Sequence, residues 1–291
     1  MDALRIQGGA TLNGEIHISG SKNATLPIMA AAMLASGEST LKGVPDLVDV
    51  RTLSKVLEHM GIGVRHLGGH LLIDATELSN QEAPYDLVRT MRATILVLGP
   101  LLARYGKAKV SLPGGCAIGA RPIDQHLKGL KKLGAKIEIN HGYVEAEVDK
   151  LRGAEIEFDM PTVGGTENLL LACSLAEGTT VLRNAACEPE VTDLAEVLVK
   201  MGAKIDGIGT STLTIEGVTK LSPYDHRVVP DRIEFGTFLV AGAIAAEKLT
   251  LVGSIPAHQA PLIEKLKQAG AVIVHKPELD RITISRAPVI G

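Results

Sequence analysis

Cys116 lies in the stretch Pro113-Gly114-Gly115-Cys116-Ala117-Ile118-Gly119-Ala120-Arg121-Pro122, a thiol among three glycines with a guanidinium close behind. Glycine-rich backbone leaves a side chain without packed neighbours, and a nearby cation favours the thiolate, so this pattern suits an accessible, reactive thiol. The other two cysteines differ. Cys173 ends the run Leu169-Leu170-Leu171-Ala172-Cys173 and reads as core packing; Cys187, in Ala185-Ala186-Cys187-Glu188, reads as structural. Lys22, Arg92 and Arg121 are candidates for holding an anion, although a single Lys or Arg is more often a solvated surface charge. His126, on an amphipathic helix, reads as a surface or rim residue. Glu188-Pro189-Glu190 either caps the helix that begins at Val191 or belongs to a site, and both readings stand. With no HExxH motif and no CxxC pair, no metal is expected. Gly114-Gly115 alone is a weak phosphate signal, and neither a P-loop nor a dinucleotide fingerprint is present.

The elements that must position these residues follow an internal repeat. Four amphipathic helices close on glycine and run into a strand, at Met60-Gly61-Ile62, Leu133-Gly134-Ala135, Met201-Gly202-Ala203 and Ala269-Gly270-Ala271. The glycines stand 73, 68 and 68 residues apart, the mark of duplicated supersecondary units. Measured from the turn after each unit's first helix, the spacing is 24 residues for Gly37 to Gly61, 24 for Gly178 to Gly202 and 23 for Glu247 to Gly270. For Gly106 to Gly134 it is 28, and the extra residues fall in the Cys116 loop. An insertion of glycines, a thiol and an arginine is poor packing material and good site material.

Each unit reads as helix, strand, helix, strand and usually another strand. The first helices, Leu26 to Leu34, Ile95 to Leu102, Leu169 to Leu175 and Phe238 to Ala245, are apolar all round and belong inside. The second helices are amphipathic and belong outside, as in Leu127, Leu130 and Leu133 against Lys128, Lys131 and Lys132. Helices enclosed by sheets would be an α/β barrel turned inside out. Counting back 14 or 15 residues from each turn gives Lys22, Arg92, Gly164 and Arg232, all at expected helix starts. Helix N-termini present unpaired N–H groups and partial positive charge, so several of them with Lys and Arg added favour a polyanionic ligand.

The bulk composition sets limits. A length of 291 residues exceeds what one core usually supports, roughly 250, so two domains are expected. Net charge of −3, no Trp and 2% aromatics argue against nucleic acid. The longest apolar stretch, Ile95 to Ala103, is far short of the ~20 residues of a membrane span, so no membrane partner is expected. Three cysteines without a pairing pattern and the lack of a basic-apolar leader point to the cytoplasm.

The chain closely resembles the UDP-N-acetylglucosamine 1-carboxyvinyltransferase family, the enolpyruvyl transferases of early peptidoglycan synthesis. The matching stretches are Gly20-Ser21-Lys22-Asn23, Ala83 to Ala93, Leu112 to Pro122 with its cysteine, and Val229-Pro230-Asp231-Arg232-Ile233-Glu234. The resemblance spans the chain, and the cysteine loop separates this family from the shikimate-pathway enolpyruvyl transferases. It implies the enolpyruvyl transferase fold: inside-out α/β barrels of βαβαββ units, one complete domain over 22–229 and a second combining 1–21 with 230–291. In the family about two further repeats complete that second domain, with the general base, an aspartate; here one repeat follows Pro230. Turnover by these 291 residues alone is therefore not expected, and a fragment that only binds the nucleotide sugar is the alternative.

The resemblance also implies roles. Cys116 would be the general acid and could form a phosphoenolpyruvate adduct. Lys22, Asn23 and Arg121 would bind phosphoenolpyruvate. Arg92, Arg121, Pro122, Ile123, Asp124, Gln125, Met160, Pro161, Thr162 and Val163 would bind UDP-N-acetylglucosamine, with Met160-Pro161 a departure where some members carry lysine. Glu188, Glu190 and Asp231 would face the cleft. No cofactor is implied.

Overall fold

The computed structural model describes residues 3–5, 7–88, 91–112 and 123–286. Cys116, Arg121 and Pro122 lie outside the described residues, as do Arg89 and Thr90 of the matching stretch. After β1 (Leu12–His17), the first repeat comprises α1 (Lys22–Ala31, extended by a 3-10 turn Ala32–Leu34), β2 (Glu38–Lys42), α2 (Val48–His59), β3 (Gly63–Leu67) and β4 (His70–Asp74). The second comprises β5 (Glu82–Ala83), α3 (Tyr85–Val88), a 3-10 segment Arg92–Val97, α4 (Leu98–Tyr105), β6 (Lys107–Ser111), α5 (Asp124–Lys132), β7 (Lys136–Asn140) and β8 (Tyr143–Glu147). The third comprises β9 (Glu155–Glu157), α6 (Val163–Cys173), β10 (Thr179–Arg183), α7 (Pro189–Met201), β11 (Lys204–Asp206) and β12 (Thr212–Glu216). β13 (Asp225–Arg227) follows, then α8 (Arg232–Ala245), β14 (Ala246–Val252), α9 (Ala260–Gln268), β15 (Val272–Lys276) and β16 (Arg281–Ser285).

The repeat is visible in the strand pairing. Among the described residues there are four sheets, ordered β13-β2-β4-β3, β5-β6-β8-β7, β9-β10-β12-β11 and β1-β14-β16-β15. In each, the first pair is parallel and the next two are antiparallel. The first repeat takes its parallel edge strand, β13, from beyond the third, with His226 beside Leu41. That pairing closes the three repeats into a ring. Contacts divide the chain into two compact units, Ser21–Val229 and Met1–Gly20 with Pro230–Gly291.

In the larger unit the apolar helices are the core. α1 buries every residue from Ala24 to Ala31, and α6 every residue from Gly165 to Cys173. Their Leu and Ala side chains have no polar face to give to water, so they pack on one another and on α4, while amphipathic α2, α5 and α7 lie outside them. Leu130 and Leu133 are buried as expected from the lysine pattern, with Lys128, Lys131 and Lys132 exposed. One expected helix is split. From Ile95 the chain runs as a 3-10 segment and becomes α-helical only at Leu98. Pro100 has no N–H to donate to Leu96, so an unbroken α-helix would lose that bond.

The smaller unit holds one repeat, and its apolar helix keeps the open face that a lack of partner helices predicts. α8 is as apolar as α1, but it buries only the face carrying Phe235, Leu239 and Ala243, packed on β14 and β16. Ile244 remains 62% exposed and Val240 38%. One repeat supplies partners for one face of such a helix, whereas three repeats enclose it.

Candidate functional site

Helix starts converge at one end of the larger unit. Ser21 caps α1 by accepting from the Ala24 N–H at 3.3 Å, and Lys22 pairs with Asp49 in the first turn of α2, Nζ to Oδ2 at 2.9 Å. Thr162 caps α6 by accepting from the Gly165 N–H at 3.3 Å. A Cβ on Gly165 would stand 2.5 Å from the Thr162 methyl, so this capped turn requires glycine. The Ala186 N–H, just before α7, donates to Thr166 Oγ1 at 3.1 Å, joining the starts of α6 and α7. Asp193, near the start of α7, accepts from the Val229 N–H at 3.1 Å, and Val229 O accepts from the Ser21 N–H at 2.8 Å. Lys22, Arg92 and Gly164 thus occupy helix starts, where amide N–H groups and basic side chains favour anions. In the smaller unit Arg232 likewise begins α8, and Asp231 caps it with bonds from the Ile233 and Glu234 N–H groups at 2.8 and 3.0 Å.

Asn168 ties three elements together inside this end. Its Oδ1 accepts from the Gly99 N–H at 2.8 Å, and its Nδ2 donates to Ile95 O at 3.0 Å and to His126 Nδ1 at 3.0 Å. His126 is therefore not the surface or rim residue expected: it is 6% exposed, because α6 offers its ring a partner inside. Burial, and then the nearby Arg92 charge, push its pKa down to about 4 against the opposing pull of Asp124. The ring is neutral at pH 7, with Nδ1 as acceptor.

Next along α6 is Glu167, 3% exposed, whose Oε1 has no hydrogen-bond partner among the described residues. Burial, then the charges of Glu190 and Glu188, raise its pKa to about 8, so it is mostly a neutral acid at pH 7. Glu190 is itself 2% exposed. Glu188 occupies the N-cap position of α7 with no bond from its side chain, and Pro189 follows it. The capping reading of Glu188 is thus not what the side chain does.

Gln125 and Asp159 bring the two expected sugar-nucleotide stretches together. Gln125 Nε2 donates to Asp159 Oδ2 at 2.7 Å, and the Asp159 N–H donates to Gln125 Oε1 at 3.1 Å. Lys128 also bonds this carboxylate and, as the largest influence, keeps it below its ordinary range. Ile123, Asp124 and Gln125 at the start of α5 therefore lie beside the segment from Met160 and Pro161 to Thr162 and Val163. Asn23 is exposed, and Pro27 in α1 leaves the Asn23 carbonyl without a helical N–H. Cys173 is fully buried, its thiol pushed up to about 12, as the core reading expects, whereas Cys187 is exposed. His66 and His70 stand four residues apart on the two strands of a hairpin. Among the described residues no group of three or more His, Cys, Asp or Glu is placed to hold a metal, and no helix is long and apolar enough to cross a membrane.

Sequence reasoning missed Glu167, Asn168 and the interior place of His126. The available signal was Thr166-Glu167-Asn168, three polar residues opening an otherwise apolar buried helix.

The family model for EPSP synthase (3-phosphoshikimate 1-carboxyvinyltransferase) matches residues 6–289. A UDP-N-acetylglucosamine 1-carboxyvinyltransferase of Desulfatibacillum aliphaticivorans is 54% identical over 276 residues, covering 95% of this chain and 66% of the relative. One from Anaeromyxobacter sp. (strain K) is 56% identical over 278 residues, covering 94% of this chain and 66% of the relative. The chain thus spans about two thirds of the length of these relatives. The crystal structure of the enolpyruvyl transferase NikO from Streptomyces tendae superposes with a TM-score of 0.86 at 27% identity, covering 97% of this chain and 68% of that one. The inside-out arrangement of repeated βαβαββ units and these likenesses together establish that the chain belongs to the enolpyruvyl transferase family, in its UDP-N-acetylglucosamine 1-carboxyvinyltransferase branch.

Proposed function

We propose that this chain carries the catalytic thiol and most of the sugar-nucleotide site of an enzyme that transfers enolpyruvyl from phosphoenolpyruvate to the 3-hydroxyl of UDP-N-acetylglucosamine, releasing phosphate. The observation that carries this reading is the gathering of helix starts bearing Lys22 and Arg92 at one end of the larger unit, beside the start of α5 at Ile123 to Gln125. It is supported by 54% and 56% identity to relatives of that name. The sugar hydroxyl gives its proton to a general base and adds to C2 of phosphoenolpyruvate while C3 takes a proton from the Cys116 thiol; a base then removes a C3 proton as phosphate leaves C2, which completes the exchange. A thiol suits this task because its free pKa, about 8.5, lies close to working pH. Lys22, Asn23 and Arg121 hold phosphoenolpyruvate, countering its negative charge. Arg92, Arg121, Pro122, Ile123, Asp124, Gln125, Met160, Pro161, Thr162 and Val163 hold the nucleotide sugar. Glu188 and Glu190 belong to the same end of the larger unit. Such an enzyme serves peptidoglycan synthesis from the cytoplasm, where its substrates are made.

Calorimetry with UDP-N-acetylglucosamine tests binding by this chain. Phosphate release tests turnover, in this chain and in a form carrying the further third present in the relatives. The expected result is release that requires both substrates and disappears in Cys116→Ser. Release with 3-phosphoshikimate in place of the nucleotide sugar would move the chain to the other branch of the family.

A further inference from the structure

A buried chain of hydrogen bonds runs from α7 to the start of α1. Asp193 and Lys200 are seven residues apart on α7, two turns along one face, and His226 of β13 lies between them. Lys200 Nζ is 2.8 Å from His226 Nδ1, and His226 Nε2 is 2.8 Å from Asp193 Oδ1. An ammonium can only donate, so Nδ1 is the acceptor and Nε2 carries the ring proton that Asp193 receives. Asp193 and His226 are each 6% exposed. The second carboxylate oxygen, Asp193 Oδ2, accepts from the Val229 N–H at 3.1 Å. On its other side Val229 O accepts from the Ser21 N–H at 2.8 Å, and Ser21 is the residue that caps α1 ahead of Lys22 and Asn23.

We propose that Asp193 and His226 are positioning residues for the Lys22–Asn23 end of α1, acting through Val229 and Ser21. The inference rests on the proposed function, which gives that end to phosphoenolpyruvate. The carboxylate fixes Val229 from one side, and the imidazole fixes the carboxylate. Neither touches a substrate. Val229 is extended chain at the close of the ring, between Val228, whose N–H donates to Lys42 O at 3.0 Å, and Pro230, which forms a lone bridge with Gly20; its own N–H is held by Asp193. Among the described residues the backbone of Val229 holds Ser21, and Asp49 holds Lys22. Misplacing a binding group by about 1 Å is enough to cost roughly 100-fold in a reaction that depends on orientation.

The pair makes a specific demand on chemistry. Asp193→Asn replaces one acceptor by an NH2 group, which then faces the His226 or Val229 N–H, donor against donor. His226→Leu removes the partner of both Asp193 and Lys200. His226→Gln restores both senses, since its amide can donate to Asp193 and accept from Lys200.

The test uses the protein at the length of its relatives, with steady-state kinetics for both substrates and amide hydrogen exchange on each variant. Asp193→Asn and His226→Leu should raise KM for phosphoenolpyruvate roughly 10- to 100-fold, leave KM for UDP-N-acetylglucosamine within about threefold, and speed exchange at Val229 and Ser21. His226→Gln should recover phosphoenolpyruvate KM to within about threefold of the parent. Faster exchange at Val229 and Ser21 with unchanged phosphoenolpyruvate KM would overturn the positioning role while leaving the proposed function standing. Equal losses for both substrates, or no recovery in His226→Gln, would also overturn it, as general destabilisation. A parent protein that turns over neither substrate would overturn the proposed function and this inference with it.

Discussion

Replacing Asn168 should unfasten the interior of the site end more than any other single change there. The side chain is 0% exposed and makes three bonds, to the Gly99 N–H, Ile95 O and His126 Nδ1. Because Gly99 can only donate and Ile95 O can only accept, the amide has one orientation. Asn168→Leu keeps the volume and removes all three bonds, leaving the Gly99 N–H and His126 Nδ1 buried without partners, while Ile95 O keeps the Leu98 N–H. Unsatisfied buried polar groups cost about 1–3 kcal/mol each, so the expected loss for the two is about 2–6 kcal/mol, less what an entering water restores. Asn168→Asp keeps the Gly99 bond and turns its other oxygen toward two acceptors. Protonating His126 relieves that conflict, so this variant should raise the histidine's folded pKa from about 4 to above its unfolded value. The sign follows: stability in Asn168→Asp is fully present below the unfolded histidine pKa, about 6.5, and is lost as pH rises through the raised folded value. Native-state hydrogen exchange at the α6 amides Leu169 to Ala172 measures both effects. A loss below about 1 kcal/mol in Asn168→Leu, or a pH dependence in Asn168→Asp like that of the parent, would refute this account of the network.

Further outcomes follow from the same geometry. Glu167→Gln should stabilise the larger unit at pH 8 and have little effect near pH 4.5, because a carboxyl whose folded pKa is raised to about 8 loses stability progressively as pH rises from its unfolded value to that point. Up to about 4 kcal/mol is at stake, read by the same exchange experiment across pH, and a pH-independent difference would count against it. An epoxide electrophile such as fosfomycin should label Cys116 and leave Cys173 untouched, since Cys173 is fully buried with its thiol pushed up to about 12; peptide mapping that finds Cys173 modified first would contradict this. Cys116→Asp should keep measurable phosphate release where Cys116→Ser loses nearly all of it, because a carboxylic acid can replace an acid and a hydroxyl cannot; equal rates would argue against proton donation.

The repeat, the buried character of its first helices in the larger unit and the helix starts at Lys22, Arg92, Gly164 and Arg232 were all legible in the chain itself. They depend on local properties: glycine at a helix end, apolar residues all round a turn, and a spacing that recurs. The same locality limits what the chain shows. α8 carries the apolar signature of a buried helix, but burial depends on how many repeats surround it, and here one face of it stays exposed. His126 has lysines for helical neighbours and looks like a surface residue until Asn168, 42 positions later, supplies its partner. Asp193 and His226 are 33 residues apart and Ser21 and Val229 more than 200, with no local pattern to join them. Only the closure of the ring by β13 brings those groups together. Periodicity determines which residues a segment buries; which buried polar groups meet is decided by the packing of segments distant in sequence, because a hydrogen bond is set by where its partners arrive in space.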